Sequence, residues 1–381
     1  MKIFHALTHA QKIALMKPLV GHQLRWNGLA RAFSRGQIPQ TLLISGPPHV
    51  GKSTFVLRYA QLLLCPNLEN DENGLPAPCG SCKVCHQVEI ETFLPDYRVF
   101  RPVISAGEPT TAPETLDSSV ILISQARAFI EEAIRKPLAG PRKLLVMPQF
   151  DKIVPGVENT LLKTLEEPSS GTFLVLTTEN VRNLRETILS RCWHLPLAPV
   201  GDAEIEAWLR GEFSGISSPE MDEALRAGAG RPGAAWREAK RLQESEETQK
   251  SRFAIASEML SRLEGATPVA ALGLTEDALK WAALWWEEDA GAGVDLKKLG
   301  SKGPRAAAAR FLDELMIAAR VLWVNSLDSS EVGAARLDQM RKTRHYILRN
   351  ANRQLALDVM FGRLIALRPR TASPSAREGR N

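Results

Sequence analysis

Gly46-Pro47-Pro48-His49-Val50-Gly51-Lys52-Ser53 is the stretch that decides the fold, because it has the spacing G-x-x-x-x-G-K-S of a phosphate-binding loop (P-loop). It lies between an apolar, strand-like run at 41–45 and a helix-like stretch at 54–64. Glycines let backbone N–H groups turn inward around phosphate oxygens, and a helix N-terminus adds partial positive charge. We expect Lys52 to reach the β- and γ-phosphates and Ser53 to bind Mg²⁺. The alternative is a glycine-rich turn with a chance lysine. The predicted nucleotide-binding residues are Gly46, Pro47, His49, Val50, Gly51, Lys52, Ser53 and Thr54.

The composition is that of an ordinary globular protein with room for two or three domains. The 381 residues are 44% hydrophobic and 24% charged, and the net charge of +5 permits a polyanionic partner without demanding one. No apolar run approaches the roughly 20 residues that span a bilayer. Polar residues interrupt the apolar run at the N-terminus early, so we expect no secretory signal and a cytoplasmic location.

Four of the five cysteines cluster in the sequence, at Cys65, Cys79, Cys82 and Cys85. In a reducing compartment such a cluster indicates a metal before it indicates disulfides. Four thiolates complete a tetrahedral shell and leave no open position, so the pattern predicts structural and not catalytic Zn²⁺. The alternative is a set of free thiols in a surface loop. Cys192 stands alone, and we expect it in the core or a loop.

Strand and helix patterns alternate in the first half of the chain. Apolar runs at 144–147 and 173–176 are of the kind buried in parallel sheets, and helical patterns occur at 124–135, 157–166 and 184–189. The predicted class is therefore α/β, with a doubly wound sheet.

After Pro199 the strand signals stop and helical patterns follow, with breaks near 228–233, 291–304 and 326–334. Residues 105–118 read as a loop. On one of these helices, Trp281, Trp285 and Trp286 indicate a core or subunit contact before a nucleic-acid stacking surface.

Several motifs together resemble bacterial clamp-loader subunits of the AAA+ family. They are the P-loop, the four cysteines, Asn159–Pro168 (which fits N-x-L-L-K-x-L-E-E-P), Thr177-Thr178-Glu179 and Ser190-Arg191-Cys192. The resemblance is strong from about residue 18 to 198. It implies an AAA+ P-loop domain with a small helical lid and a C-terminal all-α collar. The implied domains are 1–198 with a zinc module at 65–85, a lid at 199–248, a collar for oligomerisation at 249–368 and a disordered tail at 369–381.

The resemblance also assigns Arg191 a role. In an AAA+ ring the nucleotide lies between neighbouring subunits, and a guanidinium reaching across stabilises charge that develops on the γ-phosphate. Arg191 stands at the matching family position, which implies an arginine finger acting in trans. Without the surrounding motif, the default interpretation is a surface arginine paired with a carboxylate.

Two departures from the family pattern bear on hydrolysis. An active P-loop ATPase carries a Mg²⁺-binding carboxylate and a catalytic base after its next core strand, where this chain has Pro148 and Gln149. Asp151 follows three residues after Pro148 and matches a separate family acid. In the lid, Gly233 takes the place of an arginine that senses the γ-phosphate in active members, and Arg231 stands two positions away.

With these departures the chain resembles a δ′-type stator, which implies weak ATP hydrolysis or none by itself, within a DNA polymerase III holoenzyme. They leave binding of ATP with Mg²⁺ open. The implied partners are γ/τ-type and δ-type subunits in a hetero-oligomeric ring, with the sliding clamp and primer–template DNA contacted through the complex and no membrane partner. One alternative is a γ/τ-type ATPase motor that uses Asp151. The other is a stand-alone zinc-containing DNA-binding protein, which the modest charge and the lack of a dense basic stripe disfavour.

Overall fold

The computed structural model of the chain describes residues 18–90, 94–103, 120–244, 251–264, 266–267, 269–290, 302–324 and 330–367. The chain divides into two compact units, whose described residues lie within 18–244 and within 251–367. The predicted loop at 105–118 and the predicted tail at 369–381 both lie outside the described residues. Among the residues that are described, no helix is long and apolar enough to cross a membrane.

The first unit is built on a parallel sheet of five strands, in the order β4-β5-β6-β1-β7. A separate antiparallel pair, β2 and β3, belongs to the cysteine-rich segment. The strands are β1 Thr41–Ser45, β2 Glu69–Asn70, β3 Pro76–Ala77, β4 Tyr97–Val99, β5 Lys143–Met147, β6 Thr172–Thr178 and β7 Trp193–Pro196.

Helices cover both faces of this sheet. Alternate side chains of its strands accordingly pack in two different cores. Leu42 and Ile44 pack in one core with Phe55 of the helix after the P-loop, whereas Leu43 packs in the other with Phe129 of the helix Ile123–Ile134. Both faces of β1 are therefore apolar, which explains its uninterrupted hydrophobic run and confirms the predicted α/β class. The helices of this layer are α1 Gln23–Ser34, α2 Lys52–Leu64, α3 Lys83–Glu89, α4 Ile123–Ile134, α5 Glu158–Glu166 and α6 Glu186–Leu189.

The sheet order decides where a site can form. Strand β6 lies between β5 and β1, so the carboxyl ends of these three parallel strands meet at one edge. Ligands of open parallel sheets bind at such an edge. One predicted boundary was wrong nearby: α6 begins at Glu186 and not at 184, because Leu184 and Arg185 have extended backbone.

Three further helices, α7 Asp202–Glu212, α8 Ser218–Gly228 and α9 Pro232–Glu244, complete the first unit. They enclose a small core of their own, which includes Leu209, Met221 and Ala235. Between α8 and α9 the chain turns through Ala229 and Gly230, both of which have positive φ. A side chain at Gly230 would lie 2.8 Å from Pro199 Cβ, so the turn requires glycine there. This turn is the helix break that the sequence predicted near 228–233.

The second unit is helical. Its elements are α10 Arg252–Glu264, α11 Ala270–Ala290, α12 Lys302–Ala319, a π-helical turn at Arg320–Val324, α13 Ser330–Leu348 and α14 Arg353–Ala366. Helices α12 and α13 begin earlier than the predicted breaks at 291–304 and 326–334 allow. Trp285 stacks on Phe311 with ring centroids 5.1 Å apart, and Trp285 and Trp286 are both buried. These two tryptophans therefore belong to the core of the unit.

Candidate functional site

The P-loop connects β1 to α2 at the carboxyl edge of the sheet. The Gly46 N–H donates to the Thr178 carbonyl at 3.2 Å, which fixes the start of the loop beside β6. His49 and Gly51 have φ of +62° and +112°, so the backbone turns sharply between them. Val50 is fully buried and anchors the middle of the loop in the core. Successive N–H groups in such a turn form a concave surface that suits an anion.

Lys52 lies over this loop. Its Nζ donates to the carbonyl oxygens of Gly46 at 2.7 Å and of Pro47 at 2.8 Å. Helix α2 begins at Lys52, so the N–H groups of its first turn, including those of Ser53 and Thr54, have no partner within the helix. The predicted phosphate-binding residues thus lie at one loop–helix junction, where a lysine side chain and a helix N-terminus come together, an arrangement that suits an anion.

His22 supports the loop, a contact that the sequence analysis did not anticipate. Its Nε2 lies 2.7 Å from the Val50 carbonyl, and its side chain is buried. Burial lowers the pKa of His22 below 6.5, which favours the neutral ring. A neutral ring with its proton on Nε2 donates to Val50. No motif marks His22, because the contact joins residues 28 positions apart.

The end of β5 offers no carboxylate at the first two positions after the strand. Gln149 has φ of +52°, and its N–H donates to Thr177 Oγ1 at 3.1 Å. Its side-chain Oε1 is buried without a hydrogen-bond partner among the described residues. Asp151 does carry a carboxylate, but its Oδ1 accepts from Thr178 Oγ1 at 2.8 Å and from the Glu179 N–H at 3.3 Å. Asp151 therefore ties the segment after β5 to the end of β6.

The first turn of α9 contacts the P-loop through its backbone. The Gly233 N–H donates to the His49 carbonyl at 3.0 Å, and a side chain at Gly233 would lie 3.1 Å from that oxygen. The guanidinium of Arg231 is buried and donates to the carbonyls of Gly228 at 2.9 Å and Ala227 at 3.1 Å. Arg231 thus binds the C-terminal end of α8.

The four clustered cysteines converge in space. Their Sγ atoms all lie within 4.8 Å of one another, with 3.6 Å between Cys65 and Cys79 and 3.9 Å between Cys65 and Cys82. A tetrahedral zinc ion with Zn–S bonds of about 2.3 Å requires S···S separations of about 3.8 Å. Cys65 is the C-cap of α2, and Cys82 is the N-cap of α3. The donor set and its dimensions therefore fit Zn²⁺.

The thiols affect one another's ionisation. A hydrogen bond from Cys65 lowers the pKa of Cys82, while hydrogen bonds within the group raise the pKa of Cys65 and of Cys85. Crowded thiolates repel one another, so full ionisation of the four requires a compensating cation. Cys192 lies outside this group, and burial raises the pKa of its thiol to about 12. It packs against the core, as expected.

Arg191 follows α6 at the surface of the first unit. Its Nε lies 2.9 Å from Glu166 Oε2, and its Nη1 donates to the Thr187 carbonyl at 3.0 Å. Glu166 comes from the last turn of α5, in the run that fits N-x-L-L-K-x-L-E-E-P. The arginine and glutamate side chains are 30% and 57% exposed, so solvent screens this ion pair.

Comparison with known proteins finds a similarity to one family over part of the chain. Residues 21–201 match the family described as "DNA polymerase III, delta subunit". The DNA polymerase III subunit delta′ of Pseudomonas aeruginosa is 28% identical over 215 residues, which cover 56% of this chain and 59% of the relative. The subunit delta′ of Bacillus subtilis is 30% identical over 178 residues, which cover 47% of this chain and 48% of the relative. The chain thus spans about half the length of these curated relatives.

A similar solved structure is that of a DNA polymerase III gamma subunit-related protein from Thermotoga maritima. It has a TM-score of 0.44 and 13% identity, and the superposition covers 89% of this chain and 99% of that one. The similarity to the family rests on the sequence matches. Over residues 21–201, the chain is similar to the DNA polymerase III delta-subunit family.

Proposed function

We propose that this chain is a δ′-type subunit of the DNA polymerase III clamp loader, which binds nucleotide without hydrolysing it and contributes Arg191 to ATP bound by a neighbouring subunit. One observation carries the proposal. A P-loop with every phosphate-binding element lies beside a β5 end that has Pro148 and Gln149 in place of acidic residues.

The chemistry of hydrolysis explains why this pairing matters. The attacking water needs an oriented hydrogen-bond acceptor, and Mg²⁺ needs oxygen ligands from the protein. Proline supplies neither, and the Gln149 amide does not accept a proton at neutral pH. The contacts to phosphate, in contrast, come from backbone N–H groups and Lys52, which do not depend on β5. The chain can therefore bind nucleotide without turning it over.

The second candidate function is a γ/τ-type ATPase motor. Relatives named as subunits tau and gamma support it, such as the tau/gamma subunit of Haemophilus influenzae, 27% identical over 208 residues. In a motor, Asp151 would have to serve the metal or the water. Its carboxylate instead holds Thr178 and Glu179. Recruiting Asp151 would break two hydrogen bonds at the end of β6, which disfavours this candidate.

The surroundings of Arg191 suit a finger that acts on another subunit. An exposed ion pair contributes only about 0.2–1 kcal/mol, so Arg191 can exchange Glu166 for a phosphate at low cost. In the free subunit, Glu166 holds the guanidinium near the surface and restricts its rotamers. We assign Glu166 the role of a positioning residue for Arg191.

The cysteine cluster completes the proposed domain. Zinc held by Cys65, Cys79, Cys82 and Cys85 would join the end of α2 to the start of α3, with no open position for catalysis. We further propose that residues 199–248 are the lid and 249–368 the collar through which the subunit meets γ/τ-type and δ-type partners. The sliding clamp and primer–template DNA are then contacted within the assembled complex.

Reconstitution tests this function. The chain should co-assemble with γ/τ-type and δ-type subunits, and Arg191→Ala should slow ATP turnover of the complex without preventing assembly. Removing an arginine finger costs about 10³–10⁵ in rate at the site it serves. Arg182→Ala, which changes an exposed arginine on the same surface segment, is the matched control. Unchanged turnover with Arg191→Ala would refute the finger, and failure to co-assemble would refute the clamp-loader function.

A further inference from the structure

A basic segment surrounds the turn between α13 and α14 in the second unit. Residues 339–357 contain five arginine and lysine residues and no aspartate or glutamate. The five are Arg341, Lys342, Arg344, Arg349 and Arg353. A basic segment of this kind can bind a polyanion only where its cations are not already paired with acids from other parts of the unit.

Three of these cations pair with acids. Arg341 and Lys342 both pair with Asp338 at 2.7 Å, and Arg344 pairs with Asp313 at 2.7 Å. Arg349 and Arg353 are different, since neither forms an ion pair within the described residues. The cations without an acidic partner therefore lie at the turn itself.

Besides those of Arg349 and Arg353, a third guanidinium, from α12, contacts the turn. Arg305 Nη1 donates to Asn350 Oδ1 at 2.7 Å, and because an amide is neutral this bond leaves the charge of Arg305 uncompensated. We call Arg305, His345, Tyr346, Arg349 and Arg353 the turn patch. Its members come from three helices and the turn between two of them, which explains why no single stretch of sequence shows it.

Hydrogen bonds fix the backbone beneath the turn patch. The Arg349 N–H donates to the His345 carbonyl at 3.1 Å, and the Ala351 N–H donates to the Tyr346 carbonyl at 3.0 Å. Asn352 then begins α14, with its Oδ1 accepting from the Leu355 N–H at 3.1 Å. The first helical residue of α14 is Arg353, so the partial positive charge of this helix end adds to that of the guanidinium groups.

The turn patch also presents an aromatic ring to solvent. Tyr346 is 55% exposed and lies edge-on to the His345 ring, with centroids 6.2 Å apart. Tyr346 and Arg349 are three positions apart and so share one side of the helix end. An exposed ring beside unpaired cations suits a strand whose bases are accessible, because the ring stacks on a base while the cations contact phosphates.

We propose that the turn patch binds single-stranded DNA, with Arg305, Arg349 and Arg353 on phosphates and Tyr346 stacked on a base. Exposed guanidinium groups gain little from one free phosphate in water. A strand offers a phosphate to each of them and releases its condensed counterions. This inference goes beyond the proposed function, because it assigns a direct DNA contact to this chain and does not depend on nucleotide or on partner subunits.

Anisotropy of a labelled oligothymidylate, titrated with the isolated full chain over a range of salt concentrations, tests the charge contacts. Arg349→Gln/Arg353→Gln should weaken binding and make the slope of log affinity against log salt shallower by about 1.4, because each phosphate contact removed accounts for about 0.7. The control Arg210→Gln/Arg262→Gln has the same net charge, because it also removes two arginines, both exposed and paired with acids. It should bind as the unchanged chain does. Equal weakening in the two variants would overturn the proposal.

A second pair of variants tests the stacking contact. Tyr346→Ala should weaken binding about tenfold, whereas Tyr346→Phe should retain it, because stacking on a base is worth about 1–3 kcal/mol and needs only the ring. A duplex of the same length should bind less tightly than the single strand. Wild-type affinity in Tyr346→Ala, or a preference for the duplex, would overturn the assignment to single strands. Thermal unfolding of each variant checks that the helical unit is intact.

Discussion

Strands β1 and β5 are both buried, apolar and parallel, and both end at the same edge of the sheet, but the residues after the two strands differ. After β1 the chain keeps a P-loop with Lys52 in place. After β5 it has Pro148 and Gln149 where a hydrolysing site needs acids. The residues that contact phosphate and those that activate water follow different strands. A chain can therefore lose the acids that activate water and keep the P-loop.

The scaffold around both strand ends is intact, so the difference is confined to side chains. Met147 of β5 still pairs with Leu176 of β6, and Ser45 of β1 with Thr178. The Gln149 N–H keeps a bond to Thr177 Oγ1 just beyond the strand. A sheet edge of this kind holds its shape without the acids, because backbone pairing and burial maintain it.

The largest expected effect comes from restoring the acids after β5. Pro148→Asp/Gln149→Glu should raise Mg²⁺-dependent ATP turnover by the isolated chain about 10²–10⁴-fold over background, since a positioned base contributes that much. Phosphate release over time measures it. Pro148→Asn, with Gln149 unchanged, is the uncharged control. Background turnover in the double variant, with ATP still bound, would show that the missing acids are not what prevents hydrolysis.

A smaller effect is expected at the other strand end. Lys52→Ala should reduce the affinity of the chain for ATP about 10–100-fold, because it removes a charge-assisted hydrogen bond worth about 1.5–3 kcal/mol. Equilibrium binding of a fluorescent ATP analogue measures it. Lys152→Ala, a lysine in the turn after β5, serves as the control. ATP affinity that is equal in the two variants would mean that the P-loop does not bind nucleotide.

A substitution at Asp151 distinguishes a stator from an ATPase motor. Asp151→Asn should lower the free energy of unfolding by about 1–2 kcal/mol, because it weakens the bonds to Thr178 and Glu179. ATP affinity should not change. Urea unfolding and the same binding assay measure the two quantities. A variant that is as stable as wild type but loses an ATP turnover present in the wild type would identify Asp151 as catalytic.

The smallest effect concerns pH. Burial lowers the pKa of His22, so the unfolded chain binds more protons than the folded one between the folded pKa and 6.5. The stabilisation by neutral His22 is fully present above pH 6.5 and is lost as the pH falls towards the folded pKa. His22→Gln should therefore flatten this part of the pH profile of unfolding, measured in urea. A profile that matches the wild type would show that His22 does not titrate as its burial requires.

Much of this could be predicted from the sequence, because it depends on local patterns. Residue type and spacing within a short stretch of sequence are enough to predict the P-loop, the cysteine cluster and the buried strands. The alternative interpretation of Arg191, a surface arginine paired with a carboxylate, also follows from residue type alone. Its partner, Glu166, is 25 positions away and could not be identified from sequence.

Contacts between segments that are distant in the sequence could not be predicted, because no local pattern indicates them. The bonds from Gly233 to His49 and from His22 to Val50 join elements that meet only in the folded unit. The turn patch was missed because pairing with Asp338 and Asp313 decides which cations are left without an acidic partner. Composition alone gives a modest charge of +5 and hides this local concentration.

The central claim is that this chain holds ATP and does not cleave it. Equilibrium binding of ATP with Mg²⁺ to the isolated chain, followed by turnover on the same sample, tests it most directly. We expect saturable binding that Lys52→Ala weakens, together with phosphate release no faster than in a blank without protein. Multiple turnover that Lys52→Ala abolishes would contradict the claim and make this subunit a motor.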